Sequence, residues 1–292
     1  MIPYTRKTLP NGLTVVVNRD RASKLAAVNI LYRVGARNEN PARTGFAHLF
    51  EHLMFRGTRA VENFDLPVQM ASGDNNAFTN NDYTDFYITL PKDNLETALW
   101  LESDRMEGLD ITPAKLEAEK KVVIEEFRQR YLNQPYGDQT MLLRALAYKV
   151  HPYRWAAIGL ATDHIAGATL ADVESFYRAH YRPSNAILSI SADMEEERML
   201  ELAEKWFAPL ADHPSATAAI PQEPMQTQAR RQEVERDVPA STVTVAYHMC
   251  ARTKLDFYTA DLVSDLLSGG DSGRLYTHLV KERNLLSSVN AY

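Results

Sequence analysis

The chain has 292 residues, 45% of them hydrophobic and 24% charged, with a formal net charge of −6 at pH 7. This length supports one large domain or two smaller ones, and the acidic balance argues against a surface built for nucleic acid or anionic lipid. A single cysteine, Cys250, excludes an internal disulfide framework, and no apolar run reaches the roughly 18 residues that a membrane span needs.

Met1-Ile2-Pro3-Tyr4 leads into polar sequence without an apolar leader segment. A cytoplasmic location is therefore expected, or a periplasmic one if a leader has been removed. Residues 4–9 read as extended, Pro10-Asn11-Gly12 as a turn and residues 13–18 as a β-branched strand, together a hairpin. A further strand is expected over 25–34, then a loop over 35–41. Thr44 is expected to cap a helix running to Phe55. Residues 75–90 are rich in Thr, Tyr and Phe around Asn80-Asn81-Asp82 and predict two short strands joined by a turn. Helices are expected over 96–106, 113–131, 139–148, 170–180 and 195–210, the second opening on Pro113. Residues 186–192 read as a strand. The mixture indicates an α+β or α/β sandwich.

Residues 213–235 hold Pro214, Pro221 and Pro224 with few large apolar residues, and read as a linker. A strand over 242–249 and a helix over 257–267 follow. The expected organisation is a first domain over 1–212, the linker, and the start of a second, similar domain over 236–292. Val28 to Arg37 and Val243 to Arg252 share a strand, a Tyr and an Ala-Arg pair at the same spacing. Duplication and chance similarity both account for so short a match.

The feature that carries chemistry is His48-Leu49-Phe50-Glu51-His52. Residues four apart share a helix face, so both imidazoles can address one ion. Glu51 lies about 100° round the helix from His52, beside such an ion without being forced to bind it. Neutral imidazoles suit zinc, and a neighbouring carboxylate can take a proton from the water that zinc acidifies. Phe46, Leu49, Leu53, Met54 and Phe55 mark the helix as largely buried, and buried His and Glu need partners.

A third protein ligand is expected from the helix that holds Glu119, Glu125 and Glu126. With Val123 of its inward stripe set to zero, Glu119 falls at about −40°, Glu126 at about −60° and Glu125 at about 200°. Glu126 is therefore the expected ligand and Glu119 a second inward carboxylate that orients a histidine or tunes the water. The competing reading is a solvated flank of a charged helix.

At this point the chain resembles the pitrilysin/insulinase-type zinc peptidases, especially their smaller two-repeat branch with the mitochondrial processing peptidases. The resemblance rests on Leu9-Pro-Asn-Gly-Leu, Gly45 to Thr58, Gly73 to Tyr87, Glu119 to Glu126, His151-Pro-Tyr and Gly269 to Leu275. It implies an α+β fold of repeated sandwich domains, each a mixed, mainly antiparallel sheet packed on helices, with the second repeat here incomplete. It implies one Zn²⁺ per chain on His48, His52 and Glu126, Glu51 as general base and Glu119 as a supporting carboxylate. Asn76, Ala77, Phe78 and Thr79 resemble the edge strand that holds substrate backbone by strand addition, although such a segment is otherwise an ordinary sheet edge. The implied activity is endopeptidase action on extended peptides. The implied partners are a peptide substrate and a second copy or related subunit that supplies an Arg and a Tyr, with no nucleic acid and no membrane span.

Carrying the Arg37–Arg252 register forward places Val263, Leu266 and Leu267 opposite His48, Glu51 and His52, so the second copy has no metal site. Two rival readings stand beside the peptidase: a non-catalytic or partner-dependent subunit, and a zinc hydrolase with non-peptide substrates. His151 is expected to serve a turn. His164, His180, His213, His248 and His278 lack ligand spacing and read as structural or exposed. Cys250 is expected to be buried at a strand end, and Gly269 to Gly273 is expected to form a turn between helices.

Overall fold

Alternation along the strands builds the sheet on which the site is mounted. The computed structural model describes residues 2–213 and 219–292; Pro214, at the start of the expected linker, lies outside the described residues. In chain order the strands are β1 (Thr5–Thr8), β2 (Thr14–Arg19), β3 (Leu25–Tyr32), β4 (Asp74–Thr79), β5 (Thr84–Pro91) and β6 (Ala186–Ala192). They form a mixed, mainly antiparallel sheet in the order β1-β2-β6-β3-β5-β4, in which only β2 and β6 run parallel. The expected hairpin is β1–β2, and the paired strands of residues 75–90 are β4–β5.

In β3, Ala26, Val28, Ile30 and Tyr32 are buried while the intervening residues are not. Ala186, Leu188, Ile190 and Ala192 of β6 and Phe86, Ile88 and Leu90 of β5 are buried with them. Each large apolar side chain so removed from water stabilises the fold by about 1.5–3 kcal/mol. Away from this core, polar pairs serve the sheet: Asn29 Nδ2 donates to Asp85 Oδ2 at 2.7 Å, and Ser191 Oγ donates to Asn18 Oδ1 at 3.0 Å.

The helices are α1 (Phe46–Leu53), α2 (Asp65–Met70), α3 (Leu95–Glu107), α4 (Pro113–Phe127), α5 (Gln139–Ala147), α6 (Thr162–Ala166), α7 (Leu170–His180), α8 (Glu196–Phe207) and α9 (Leu255–Ser268). Helix α7 begins with a capping box between Thr169 and Asp172. The short helices α2 and α6 have no counterpart among the expected elements; each is too brief to show a helical period. The helix expected to run to 131 ends as α4 at Phe127. A π turn over Arg128–Leu132 continues it, closed by the Asn133 N–H on the Arg128 carbonyl at 2.8 Å.

The chain divides into two compact units, Met1–Ser241 and Thr242–Tyr292. Residues 219–241 hold no helix or strand but are tied to the first unit. Glu223 accepts the backbone N–H groups of Lys149, Val150 and His151 at 2.8–2.9 Å, and Arg230 donates to the Leu146 and Ala147 carbonyls that end α5.

In the second unit α9 forms as expected, and a 3₁₀ turn over Gly270–Ser272 leads on to a π-helical stretch over Tyr276–Glu282. The strand expected over 242–249 does not form among the described residues. A strand exists through its ladder, and the apolar alternation of Val243, Val245 and Tyr247 remains exposed at 86%, 67% and 87%. Cys250, expected to be buried, is half-buried beside it.

Candidate metal centre

Helix α1 is seated by residues outside it. Phe46, Ala47, Leu49, Phe50 and Leu53 are buried, and the Phe50 ring stacks on Phe176 of α7 and on Tyr181 at centroid distances of 5.2 Å. The start of the helix differs from the expected Thr44 cap. Gly45 opens it with φ near +91°, and a Cβ there would meet the Ile158 carbonyl oxygen at 2.6 Å, so only glycine fits. The cap comes instead from Glu39, whose carboxylate accepts the Gly45 and Ala47 N–H groups at 2.9 Å each and the Trp155 indole N–H at 3.1 Å. Burial pushes the Glu39 carboxyl up to about 8 against the opposing pull of these donors. The Thr44 hydroxyl accepts the Leu160 N–H at 2.8 Å and meets His164 Nδ1, giving that histidine a structural partner.

On this helix His48 and His52 stand one turn apart, with ring centroids 4.8 Å apart. Helix α4 packs against α1 and brings Glu126 to both. Its Oε2 lies 3.6 Å from His48 Nε2 and 3.3 Å from His52 Nε2, and one donor atom from each of the three residues lies within 4.8 Å of the others. Donors about 2.0–2.1 Å from a common tetrahedral zinc sit roughly 3.3 Å apart. Two imidazoles and a carboxylate at these separations fit a zinc ion. Glu125, placed on the opposite face by its helical phase, is exposed.

Each group around the triad has a distinct environment. Burial holds His48 well below the usual imidazole range, despite the Glu126 carboxylate, so the ring is neutral. Its Nδ1 is buried without a hydrogen-bond partner among the described residues, and packing orients that ring. For His52 burial also disfavours the charge, but Glu119 and Glu126 outweigh it and raise the group to about 9. Glu119 is 2% exposed and places Oε2 3.4 Å from His52 Nδ1. Its other oxygen meets the Arg56 guanidinium. Glu126 likewise gives its second oxygen to Arg130, one turn on, at 3.1 Å.

Glu51 stands beside the triad. Burial raises its carboxyl, and the nearby Thr79 hydroxyl partly offsets that rise. Its Oε2 is buried with no hydrogen-bond partner among the described residues, an acceptor suited to a water at the centre. Thr79 ends β4, which forms one edge of the sheet. On that strand Asn76 and Phe78 are exposed while Ala77 and Thr79 are half-buried, and the Asn76 carboxamide oxygen accepts the Ala77 N–H at 2.8 Å. The structure therefore brings Glu51, the triad and the end of the edge strand together, with the Thr79 hydroxyl donating to the Thr84 hydroxyl at 3.4 Å.

A cleft of about 1000 Å³ opens beside His52 and Glu119, walled by Phe55, Arg56, Leu66, Met70, Trp100 and Lys115 among others. Beneath Phe55, Arg105 is fully buried between the Phe64 and Phe86 rings, 4.3 and 4.1 Å from its guanidinium carbon, and donates two hydrogen bonds to Glu102.

A family model described as Insulinase (Peptidase family M16) matches residues 14–156, which contain this whole centre, and one described as Peptidase M16 inactive domain matches residues 167–292. The crystal structure of a protease from Helicobacter pylori matches with a TM-score of 0.87 and 32% identity, covering 100% of this chain and 71% of that one. The chain belongs to the M16 peptidase family. Among curated M16 relatives, the zinc protease PqqE of Helicobacter pylori is 35% identical over 97% of this chain and 65% of its own length. A probable mitochondrial-processing peptidase subunit beta of Arabidopsis thaliana is 26% identical over 87% of this chain and 48% of its own length. The chain thus spans less than two thirds of these relatives.

Three residues around the centre, Arg56, Arg130 and Glu39, are absent from the residues expected from the sequence. Arg56 and Arg130 each follow a centre histidine or glutamate by four positions, the helical-face spacing that singled out His48 and His52, and that spacing was a usable signal. Glu39 had none, because its capping bonds cross a loop. No helix among the described residues is long and apolar enough to cross a membrane.

Proposed function

We propose that this chain carries the zinc-binding centre of an endopeptidase that cleaves peptides bound in extended form. The observation that supports this most is the convergence of His48, His52 and Glu126 from two helices on one point, with the buried, half-unsatisfied carboxyl of Glu51 beside it. His48, His52 and Glu126 hold the ion; zinc, when bound, supplies Lewis acidity towards water and a scissile carbonyl. Glu51 takes the proton of the attacking water and passes one to the leaving amine, a role its raised affinity for protons suits. Glu119 holds the His52 ring through Nδ1. The β4 edge, over Asn76, Ala77, Phe78 and Thr79, pairs with the substrate backbone by strand addition, so side chains contribute little to recognition. In this organisation residues 1–212 form the peptidase domain and residues 236–292 begin a second, metal-free repeat.

A second reading is a subunit that needs a partner for activity or serves without it. It is favoured by the model described as an inactive domain over residues 167–292 and by relatives named as beta subunits. Under it, the Arg and Tyr that contact substrate come from outside this chain. Zinc content and peptide cleavage by the purified chain, with and without a candidate partner, separate the readings. Zinc with cleavage by the chain alone supports the first, zinc with cleavage only in the pair supports the second, and a parent chain that takes up no zinc overturns the metal centre.

A further inference from the structure

We propose that Arg56 is a positioning residue of the metal centre, fixing the Glu119 carboxylate and, through it, the ring of His52. The inference rests on the reading that His48, His52 and Glu126 hold zinc. Glu119 is 2% exposed, and its two oxygens have separate duties: Oε2 faces His52 Nδ1, and Oε1, which has no hydrogen-bond partner among the described residues, is held by charge pairing with Arg56. Among the described residues Arg56 is the one Lys or Arg that pairs with Glu119. Without it, one oxygen of a buried carboxylate loses its only counter-charge, and the carboxylate is free to turn away from the imidazole.

The backbone of Arg56 is held for this task. The Phe55 and Arg56 N–H groups bond the His52 and Leu53 carbonyls at 3.2 and 3.0 Å, extending α1 by a tight turn. Phe55 packs edge-on against Phe64 at 5.8 Å. Gly57, with φ near +97°, then redirects the chain, and a Cβ there would meet the Glu62 carbonyl oxygen at 2.4 Å. The Arg56 backbone thus keeps a fixed relation to His52, four residues earlier, and sets the side chain within reach of Glu119.

A half-exposed arginine adds little to global stability as an ion pair. Its effect on the centre has a sign that separates two roles. As a bare positive charge near the ion, Arg56 would repel zinc, and its removal would tighten binding. As a clamp on the group that orients a ligand, its removal weakens binding; loss of such an outer partner typically costs about 10–100-fold in metal affinity.

The test is zinc affinity of the full chain at neutral pH, by competition with a chromophoric chelator, for the parent, Arg56→Met, Arg56→Lys, Glu119→Gln and the Arg56→Met/Glu119→Gln double variant. Expected are a weakening of about 10–100-fold for Arg56→Met, recovery to within about threefold of the parent for Arg56→Lys, and a double variant no weaker than Glu119→Gln. A parent that binds zinc alongside an Arg56→Met variant that binds it equally or more tightly overturns the role of Arg56 alone. So do effects of the two single changes that multiply in the double variant. A metal-free Arg56→Met chain that melts well below the metal-free parent, with no recovery in Arg56→Lys, assigns the effect to folding and also overturns it. A parent that binds no zinc overturns the metal reading itself.

Discussion

His52 Nε2 lies 3.3 Å from Glu126 Oε2 although the two residues belong to different helices, α1 and α4. Neither helix alone makes the centre. It exists because the buried faces of both, through Leu49, Phe50 and Leu53 on α1 and Leu116, Val123 and Phe127 on α4, belong to one core. The chemistry therefore depends on ligands, on the seat of α1 and on the packing beneath the cleft, and each can be perturbed separately.

Removing a ligand should remove the metal, and removing the base should not. His48→Ala or Glu126→Gln is expected to lower bound zinc from one ion per chain to a small fraction of that in dialysed protein, measured by elemental analysis. Glu51→Gln is expected to keep its zinc and, in whichever assembly cleaves peptide, to slow cleavage by at least about 10²-fold. Parent-like cleavage by Glu51→Gln would contradict its assignment as base.

The seat of α1 predicts a stability effect remote from the ion. Glu39→Ala strips the acceptor from the Gly45 and Ala47 N–H groups and leaves the Trp155 indole N–H with the Ala36 carbonyl alone. Urea denaturation of the metal-free chain should show a loss of about 2–4 kcal/mol. A change below about 0.5 kcal/mol, the level of an ordinary surface substitution, would show that Glu39 does not seat the helix.

How far the sequence foretold this site follows from the range of each interaction. His48, Glu51 and His52 were legible because helical spacing alone groups them, and Glu126 was separated from Glu125 by its phase against Val123. The sheet strands showed in their composition, as in the β-branched run over 13–18 and the Thr, Tyr and Phe of residues 75–90. Local rules favour a hydroxyl before an apolar helix and so point to Thr44 as the cap of α1. The structure uses Gly45 for the backbone and Glu39, from across a loop, for the hydrogen bonds. The strand expected over 242–249 needs a neighbour to exist, and intrinsic β propensity cannot supply one. Nothing in the local sequence marks Glu102 and Arg105, and only the tertiary packing of Phe64 and Phe86 shows them to be buried.

That buried pair gives a further prediction. Arg105→Met leaves the Glu102 carboxylate without a partner in the core, and thermal or urea melts should register a loss of about 3–5 kcal/mol. The Arg105→Met/Glu102→Met double variant should recover most of it, because no unpaired charge remains. A double variant as unstable as the single one would mean that shape at this position, and not the unpaired charge, governs the loss.

The attachment of residues 219–230 should depend on pH. Burial alone would raise the Glu223 carboxyl, but the His151, Val150 and Lys149 amides hold it down to about 2 from an ordinary 4.5. A depressed carboxyl contributes its stabilisation above the ordinary value and loses it as the pH falls through the folded one. Pepsin cleavage near Ile220 and Met225 should thus be slow at pH 4.5 and accelerate towards pH 2 in the parent, while Glu223→Gln is cut readily across that range. Equal rates for the two chains at pH 4.5 would show that Glu223 does not anchor the segment.

The central claim is met most directly by locating zinc in crystals of the chain through its anomalous scattering at the absorption edge. The predicted result is one strong peak within bonding distance of His48 Nε2, His52 Nε2 and Glu126 Oε2. A zinc peak elsewhere in a folded chain, or none at these three atoms at saturating zinc, would contradict it.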